Sequence, residues 1–276
     1  MSGTLDARAA GARRLQDKVC IVTGAGQGIG RATARRLGAE GGKIVVADRI
    51  AEAAKRTWSE LREHDVDAIE SLADVSSFAG AQGLIRQALD AYGRIDVLVN
   101  NVGGTIWIKP FHLYTEEEVK LELERSLHPT LWCCLAVLPT MMAQQSGSIV
   151  NVGSQSVRGL HRLPYAASKG GVLAISQVLA MEYGQYGIRV NTMSPGGTDI
   201  PDRLTPRELL RPGVVADLGE EREQDRYRRE MMQDARHRQA LKRRGTPEEQ
   251  AAAIAFLASD DASFITGQVI ECSGGQ

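Results

Sequence analysis

The amino-acid sequence predicts an α/β protein built on a doubly wound parallel sheet with helices on both faces. Short apolar runs rich in β-branched residues alternate with longer helical stretches along the 276 residues, and such alternation produces right-handed β-α-β units. A glycine cluster also joins the first apolar run to the first helical stretch. Because 43% of the residues are hydrophobic, one large core can form, and we expect a single domain.

The predicted strands are short runs, and most of them are continuously apolar. Continuous runs of this kind are typical of parallel strands that are buried on both faces. Turn residues or helical stretches bound each run, which limits its length to that of an ordinary strand. The predicted strands are Lys18–Thr23, Lys43–Asp48, Asp67–Ser71, Ile95–Asn100, Ser148–Val152, Ile188–Asn191 and Gln268–Glu271.

The predicted helices fill the stretches between the strands, and glycine or proline marks several of their ends. Gly41 and Gly42 stop the first helix. Pro129 and Pro139 are expected to bend the longest one, because proline lacks the amide hydrogen that a helix interior needs. The predicted helices are Ile29–Glu40, Ile50–His64, Ser77–Tyr92, Thr115–Gln144, Pro164–Tyr183 and Pro247–Leu257.

Two segments stand apart from this alternation. Residues 1–15 are interpreted as a mobile N-terminal arm, or as an arm that reaches a neighbouring subunit, and residues 16–276 as the domain itself. Residues 198–245 are crowded with Arg, Asp and Glu. A solvated helical insertion accounts for most of these charges, whereas long insertions after strands are often lids over active sites. Both interpretations hold if the charged face of this segment points outward and its apolar face covers a substrate.

Composition excludes several classes of partner. The formal net charge of -1 gives no general attraction to nucleic acid or to an anionic membrane, so we expect neither as a partner. No stretch is expected to be long and apolar enough to span a membrane, and the N-terminus lacks the apolar core of a secretory signal. The four cysteines form no C-x-x-C pair, so no metal is expected. Four free thiols indicate a reducing cytoplasm.

The glycine cluster TGAGQGIG is a candidate phosphate-binding turn, because a buried strand precedes it and a helix follows. Gly24 permits the tight turn, Gly28 lets the backbone approach a pyrophosphate, and Gly30 lets helix and strand pack closely. The helix N-terminus offers free N–H groups and a positive dipole end to the phosphates. Gln27 and Ile29 therefore join the three glycines as cofactor-binding candidates.

Acidic and amide side chains follow the next strands. Asp48 ends the second strand, where a carboxylate accepts hydrogen bonds from the adenosine ribose and repels the 2′-phosphate of NADP. Arg49 offers that phosphate a cation, but the strand-end position of Asp48 favours NAD. Asp74, followed by Val75, either bonds the adenine amino group or caps the next helix. Asn101 closes the fourth strand, where a cofactor would cross the sheet.

Tyr165 and Lys169 form a candidate acid/base pair at the start of a predicted helix. Residues four apart share one helix face. A free phenol has a pKa of about 10, too high for a base near neutral pH. A nearby ammonium stabilises the phenolate and lowers that pKa. Such a pair is common on surface helices, but its combination with the glycine turn favours a catalytic role.

Taken together, these motifs resemble the short-chain dehydrogenase/reductase family across nearly the whole chain. The resemblance implies a Rossmann-type fold, a homotetramer, Tyr165 as general acid/base and Lys169 as its pKa-lowering partner and ligand of the nicotinamide ribose. It further implies that Ser154, with Ser156 as a weaker candidate, holds and polarises the reacting oxygen. The motifs that carry the resemblance are TGAGQGIG at 23–30, NNVG at 100–103, Ser154, Tyr165 with Lys169, and Ser194-Pro195-Gly196. The segment from Pro195 to Thr198 would then lie beside the nicotinamide carboxamide.

Two departures from the family pattern bear on the site. The gap between Ser154 and Tyr165 is shorter than is usual, so we expect a reshaped loop. Ser126 stands where the family often has a catalytic asparagine that holds a water molecule. Either Ser126 holds that water or the proton path differs, and the sequence leaves both possibilities open.

Several longer segments resemble one subgroup, the bacterial dehydrogenases that oxidise cis-dihydrodiols of aromatic carboxylates. This resemblance implies that NAD⁺ takes a hydride from the diol and that the resulting keto acid loses CO₂ to give a catechol. The segments are 100–111, 125–134, 158–165 and 195–198. A carboxylate substrate needs a cationic partner, for which the planar guanidinium is well suited. Arg158 and Arg162 are the candidates, with a solvated loop arginine as the alternative for each.

Three interpretations of the function compete. The first is a cis-diol acid dehydrogenase, for benzoate diol or a toluate or cumate relative. The second is a general alcohol dehydrogenase or ketoreductase on the same fold. The third is a cofactor-binding protein without chemistry, against which the intact Ser154, Tyr165 and Lys169 argue.

Overall fold

A seven-stranded parallel sheet forms the centre of the computed structural model, which describes residues 13–200 and 218–276. The strands are β1 (Val19–Thr23), β2 (Lys43–Asp48), β3 (Ala68–Leu72), β4 (Val97–Asn100), β5 (Gly147–Val152), β6 (Ile188–Pro195) and β7 (Val269–Cys272). Their spatial order is β3-β2-β1-β4-β5-β6-β7, and neighbouring strands run parallel. The order reverses between β1 and β4, and α/β proteins bind ligands at such a point, beyond the carboxyl ends of the strands.

Helices cover both faces of this sheet. They are α1 (Gly28–Ala39), α2 (Ala51–Glu63), α3 (Phe78–Tyr92), α4 (Glu116–Ser126), α5 (His128–Gln144), α6 (Leu163–Tyr183), α7 (Leu218–Arg238) and α8 (Pro247–Ala258). Side chains of α1, α2 and α8 belong to the core on one face, and those of α3, α5 and α6 to the core on the other. This two-sided packing confirms the predicted doubly wound fold.

Alternate residues of the central strands enter opposite cores. Cys20 and Val22 of β1 pack on the face of α1 and α8, whereas Ile21 packs on the face of α3 and α5. The same alternation holds in β2 for Val46 and Val45. Both faces therefore demand apolar side chains, which explains why these strands are continuously hydrophobic in the sequence.

Most boundaries agree with the predicted ones to within two residues, and two larger differences stand out. Strand β6 extends to Pro195 rather than ending at Asn191, because its last residues pair with β7. The predicted helix 115–144 is divided at Leu127 into α4 and α5. Pro129 lies in the first turn of α5, where a missing amide hydrogen costs little, and Pro139 lies inside the helix without ending it.

Two expectations about the chain need correction. Arg13–Leu15, the end of the predicted arm, belongs to the folded domain, because Leu15 is buried and Arg14 pairs with Glu40 at 2.6 Å. Residues 1–12 lie outside the described residues. The run 116–144 is apolar and long enough for a membrane span by composition alone, contrary to the expectation. It is instead divided at Leu127, and α5 contributes its buried side chains to the core.

Helix α7 occupies the predicted lid segment and rests on the loop after β4. Tyr227 and Met231 form a small apolar cluster with Ile108 of that loop. His161 Nε2 lies 2.9 Å from Glu230 Oε2, which ties the loop before α6 to the same helix. Residues 201–217 of the segment lie outside the described residues, and its role as a lid stays a prediction.

Candidate active site

A cleft of about 380 Å³ lies at the carboxyl ends of the strands. It extends from Asp48 at the end of β2 to Tyr165 and Lys169 on α6. The cofactor-binding candidates that line it are Gly24, Gln27, Gly28, Ile29, Asp48, Asp74, Val75, Asn101, Tyr165, Lys169 and Pro195. The fold thus brings together residues that are far apart in the sequence.

The glycine turn has the geometry that its sequence predicts. Gly24 and Gly28 have φ angles of 61° and 56°, a conformation in which glycine carries no steric penalty. A Cβ on Gly30 would lie 2.1 Å from the Gly24 carbonyl oxygen, so close packing excludes any side chain there. Gly30 itself does not line the cleft. Helix α1 begins without a side-chain capping hydrogen bond from Gln27 and without an acidic first turn, which suits the binding of a phosphate.

Asp48 is held in place by backbone donors. The Gly26 amide donates to Asp48 Oδ2 and the Ile50 amide to Asp48 Oδ1, both at 3.0 Å. A carboxylate oxygen can accept more than one hydrogen bond, so capacity remains for ribose hydroxyls. The position and chemistry of Asp48 therefore fit the adenosine end of a nicotinamide cofactor.

Asp74 faces the cleft and does not cap the following helix. Ser77 is the N-cap of α3, and its Oγ accepts a hydrogen bond from the Gly80 amide at 3.1 Å. Asp74 Oδ1 instead accepts the Ser76 amide at 3.0 Å, and hydrogen bonding from Ser76 holds the pKa of Asp74 below its ordinary value. Of the two predicted roles, the geometry excludes capping.

Asn101 joins the end of β4 to the glycine turn. Its Nδ2 donates to the carbonyl oxygens of Thr23 at 3.0 Å and Gly24 at 3.2 Å. Thr23 Oγ1 in turn accepts the Asn101 amide at 3.0 Å and donates to the Val99 carbonyl at 3.2 Å. These bonds fix the two strands at the switch point, so Asn101 shapes the floor of the cleft.

Lys169 is buried beside Tyr165. Lys169 is only 2% exposed. Its Nζ donates a hydrogen bond to the Val152 carbonyl at 2.7 Å. Nζ lies 6.0 Å from the centroid of the Tyr165 ring. Burial, which disfavours the charged form, lowers the pKa of Lys169 to about 8.

Ser154 and Ser156 act as a hydrogen-bonded pair. Their hydroxyl oxygens are 2.6 Å apart, and the Ser156 amide donates to Ser154 Oγ at 3.0 Å. Ser154 is the N-cap of a 3₁₀ turn, Gln155–Arg158, which forms the first half of the short loop before α6. Ser154 follows Gly153, which lines the cleft, although Ser154 does not line it. Ser156 can therefore orient the Ser154 hydroxyl.

Ser126 contacts the loop after β4. Its Oγ accepts the Gly104 amide at 3.2 Å, and Arg125 Nε donates to the Gly104 carbonyl at 3.1 Å. Both polar groups of Gly104 are thus held by the end of α4. A Cβ on the neighbouring Gly103 would lie 3.1 Å from Lys169 Nζ. Gly103, which belongs to the NNVG motif of the sequence, also lines the cleft.

Arg158 and Arg162 lie in different surroundings. The Arg158 side chain is 63% exposed, and its Nη2 lies 3.3 Å from Glu271 Oε1. Arg162 is the N-cap residue of α6, three residues before Tyr165, and its Nε is buried without a hydrogen-bond partner among the described residues. Neither arginine lines the cleft.

The segment after β6 closes one side of the site. Pro195 lines the cleft, whereas Thr198 lies outside it and pairs in a β-bridge with Gly245. Arg244 donates to the Thr198 carbonyl at 2.6 Å, which anchors the start of the insertion. Ile200, which sequence reasoning missed, lies across the glycine turn, with Cδ1 3.0 Å from the position of a Cβ on Gly28.

Comparison with known proteins agrees with this geometry. Residues 18–208 match the family described as short chain dehydrogenase, and residues 209–276 match enoyl-(acyl carrier protein) reductase. The chain is 46% identical to the 1,6-dihydroxycyclohexa-2,4-diene-1-carboxylate dehydrogenase of Acinetobacter baylyi, covering 95% of this chain and 97% of that protein. Identity to the enzyme of the same name from Pseudomonas putida is 45%, covering 95% and 94%.

A solved structure supports the same assignment of the fold. The crystal structure of levodione reductase superposes with a TM-score of 0.83 at 31% sequence identity, covering 95% of this chain and 98% of that one. The match spans the sheet and its helices, so the resemblance extends well beyond the glycine turn.

Proposed function

We propose a specific reaction for this chain, which belongs to the short-chain dehydrogenase family and is an oxidoreductase that acts on diol-type CH–OH groups. The protein uses NAD⁺ to oxidise a cis-dihydrodiol of an aromatic carboxylate, of the benzoate-diol type, to a catechol with loss of CO₂. The observation that carries the proposal is the pairing of half-buried Tyr165 with buried Lys169 in the same cleft that contains Asp48.

The cofactor preference rests on the two ends of the cleft. Asp48 offers a carboxylate to ribose hydroxyls and repels a 2′-phosphate, which supports NAD over NADP. The uncapped start of α1 suits a pyrophosphate. Lys169 lies where the family places the nicotinamide ribose. When bound, NAD⁺ supplies the hydride acceptor, and the protein supplies binding, orientation and proton transfer.

The proton chemistry belongs to three side chains. Tyr165, as phenolate, accepts the proton of the secondary hydroxyl. Lys169, as ammonium, stabilises that phenolate by its charge. Ser154, oriented by Ser156 at 2.6 Å, donates a hydrogen bond to the reacting oxygen and so fixes the alcohol against Tyr165. The carbon that loses hydride becomes a carbonyl carbon.

The loss of CO₂ follows from the substrate and requires no further residue. The carbon adjacent to the oxidised centre carries a hydroxyl and a carboxylate, so it has no hydrogen to lose. The oxidised product is a β-keto acid. Breaking its C–CO₂ bond leaves an electron pair that forms a double bond to the carbonyl carbon, which gives the aromatic ring of a catecholate, and protonation of the carbonyl-derived oxygen gives the catechol. Oxidation is therefore the favoured direction.

The test is a screen of NAD⁺ reduction against cis-diols of benzoate, toluate and p-cumate, with simple secondary alcohols and ketones as the comparison. We expect NADH formation with the benzoate diol, and a kcat/KM at least about tenfold lower with NADP⁺, the size of one lost charge interaction. Preference for a toluate or cumate diol would change the substrate that we assign but keep the protein in the same subgroup of cis-diol dehydrogenases. Preference for simple alcohols or for NADP⁺ would contradict it.

Two further proposals concern the protein in the cell. Buried free thiols at Cys20, Cys133 and Cys134 support a reducing, cytoplasmic location.

Exposed apolar side chains on the outer faces of α5 and α6 support a homotetramer built through these helices. These side chains are Leu131, Leu135, Val178 and Met181.

A further inference from the structure

Arg162 is a half-buried cation with no acidic partner among the side chains that the structure describes, those of residues 13–200, 223 and 225–276. Its Nε has no hydrogen-bond partner there. Two other arginines have full partners: buried Arg36 pairs with Glu40 at 2.6 Å, and half-buried Arg189 donates to carbonyl oxygens at the end of α8, including that of Leu257 at 2.9 Å. Arg35 and Arg56 also have a buried Nε without a hydrogen-bond partner among the described residues, but Arg162 is the candidate that lies beside Tyr165.

Arg238 and Arg244 of the insertion bring positive charge close to Arg162, although each also forms an ion pair, Arg238 with Asp234 and Arg244 with Asp199. Burial lowers the pKa of Arg162 below its ordinary value, and Arg238 and Arg244 of the insertion act in the same direction. Arg238 is anchored nearby, because its Nη1 donates to the Arg158 carbonyl at 2.9 Å. A buried charge without a partner is costly to keep, and a site of positive potential favours an anionic ligand.

The position of Tyr165 restricts the chemistry of a ligand that could bind at Arg162. Arg162 is the N-cap residue of α6 and Tyr165 lies in the first turn of the same helix. Arg162 does not itself line the cleft, but an anion at Arg162 would lie within one helical turn of Tyr165, which does. The phenol of Tyr114, another neighbour of Arg162, adds an aromatic surface. These features together fit a cyclohexadiene ring that carries a carboxylate beside its reacting hydroxyl.

We propose that Arg162, and not Arg158, binds the substrate carboxylate in a charge-assisted, two-pronged hydrogen bond and so selects acids over neutral diols. This inference rests on the proposed function, since it assigns the specificity of that reaction. Arg158 is excluded because it is exposed and already pairs with Glu271 at 3.3 Å. The guanidinium geometry matches a carboxylate, and the ligand supplies the negative charge that Arg162 lacks.

Gly159 provides the space that Arg162 occupies. A Cβ on Gly159 would lie 3.0 Å from Arg162 Nη2 and 3.1 Å from its Nε. The backbone of Gly159, at φ -96°, accepts alanine without strain. The variant Gly159→Ala should therefore displace the guanidinium by a few tenths of an ångström while keeping its charge and the fold.

The main test compares Arg162→Met with the matched control Arg158→Met, in NAD⁺ reduction with the benzoate cis-diol and with the cis-diol of benzene, which lacks the carboxylate. Arg162→Met should raise KM for the acid about 10- to 100-fold, the range for one charged hydrogen-bonded pair, with little change in kcat. KM for the neutral diol should stay constant. Arg158→Met should leave both KM values within about twofold of wild type, as expected for an exposed ion pair.

Two further variants separate recognition from folding. Gly159→Ala should raise KM for the acid about 3- to 10-fold, less than removal of the charged pair, without affecting the neutral diol. Arg162→Met should unfold at a Tm equal to or above that of wild type, because it removes an unpaired buried charge. Arg36→Met, which breaks a buried ion pair, should lower Tm. A fall in Tm for Arg162→Met with an unchanged acid preference in Gly159→Ala would overturn the proposal in favour of a structural role.

The remaining outcomes distinguish this inference from the proposed function. If wild type oxidises the acid and Arg162→Met keeps the wild-type KM, the inference is wrong and the function stands. If wild type oxidises no diol acid, the proposed function is wrong, and calorimetry with sodium benzoate and NAD⁺-loaded protein decides on Arg162. Benzoate binding that is lost in Arg162→Met and kept in Arg158→Met would support the site, whereas equal binding to both variants would overturn it.

Discussion

Lys169 shows how burial turns an ordinary side chain into a tuned group. Its Nζ donates to the Val152 carbonyl at 2.7 Å, and desolvation lowers its pKa to about 8. The free protein therefore holds the ammonium below about pH 8 and loses it as the pH rises. Since a phenolate on Tyr165 depends on that positive charge, the active form of the free enzyme should decline in the same range.

The pH dependence of kcat/KM for NAD⁺, which reports groups of the free enzyme, should accordingly fall above about pH 8. Lys169→Arg keeps a positive charge at every pH used, so its profile should lack this decline even if its plateau is lower. Lys120→Arg, at an exposed pair with Glu116, is the matched control and should keep the wild-type profile. A decline that persists unchanged in Lys169→Arg would assign it to another group.

Individual residues were predictable from sequence to different degrees. The pair of Tyr165 and Lys169 could be identified because helical spacing is local information. The choice between Arg158 and Arg162 could not be made, because burial is decided by contacts with the insertion and with α6. The NNVG motif predicts that Gly103 lies near the cofactor, but its position close to Lys169, where an added Cβ would come within 3.1 Å of Nζ, depends on tertiary packing.

Among the elements, the glycine turn is the one whose local geometry constrains the site most. Gly30 lies in the first turn of α1, and a Cβ there would meet both the Gly24 carbonyl oxygen at 2.1 Å and Asn101 Nδ2 at 2.5 Å. The turn, β4 and α1 are therefore packed as one unit, and a side chain at this position must push them apart.

Gly30→Ala should lower the free energy of unfolding by about 1–3 kcal/mol, the usual cost of overpacking, and should weaken NAD⁺ binding. The matched control is Gly83→Ala in α3, where nothing lies within 4 Å of the added Cβ. This control should raise stability by about 0.5–1 kcal/mol, because alanine is the better helix former. Urea unfolding and NAD⁺ titration measure both effects, and a Gly30→Ala protein with wild-type stability and affinity would refute this account of the turn.

Element boundaries were less predictable than element types. The strands and helices were identified by apolar runs and their spacing, and the sheet confirms them. The sequence predicted one helix bent at Pro129 and Pro139, whereas the helix divides at Leu127. Pro129 is tolerated in the first turn of α5, and Pro139 lies inside that helix without ending it. The extension of β6 to Pro195 depends on pairing with β7, which no local pattern in β6 specifies.

At the scale of the whole molecule, the doubly wound topology brings the site together. Residues at the ends of β1, β2, β4 and β5 meet in one cleft because parallel strands end at one edge of the sheet. This convergence was predictable, since it follows from the parallel direction of the strands. The position of α7 against Ile108 was not, because charged insertions carry little periodic signal.

The association of subunits gives a prediction at the same scale. Met181 on the outer face of α6 is 87% exposed, and an interface that covers it should not tolerate a charge. Light scattering should give the mass of four chains for wild type and a smaller mass for Met181→Asp. Met232→Asp on α7, also at an exposed methionine, should remain tetrameric. A wild-type protein that scatters as a single chain would contradict the proposed assembly.

The stoichiometry of one reaction tests the central claim most directly. Purified protein would be incubated with NAD⁺ and the benzoate cis-diol labelled in its carboxyl carbon, and NADH, catechol and labelled CO₂ would be measured together. We predict one equivalent of each product per diol consumed, with none formed by Tyr165→Phe. NADH formed without catechol or CO₂, or no NADH from the diol acid, would contradict the proposed reaction.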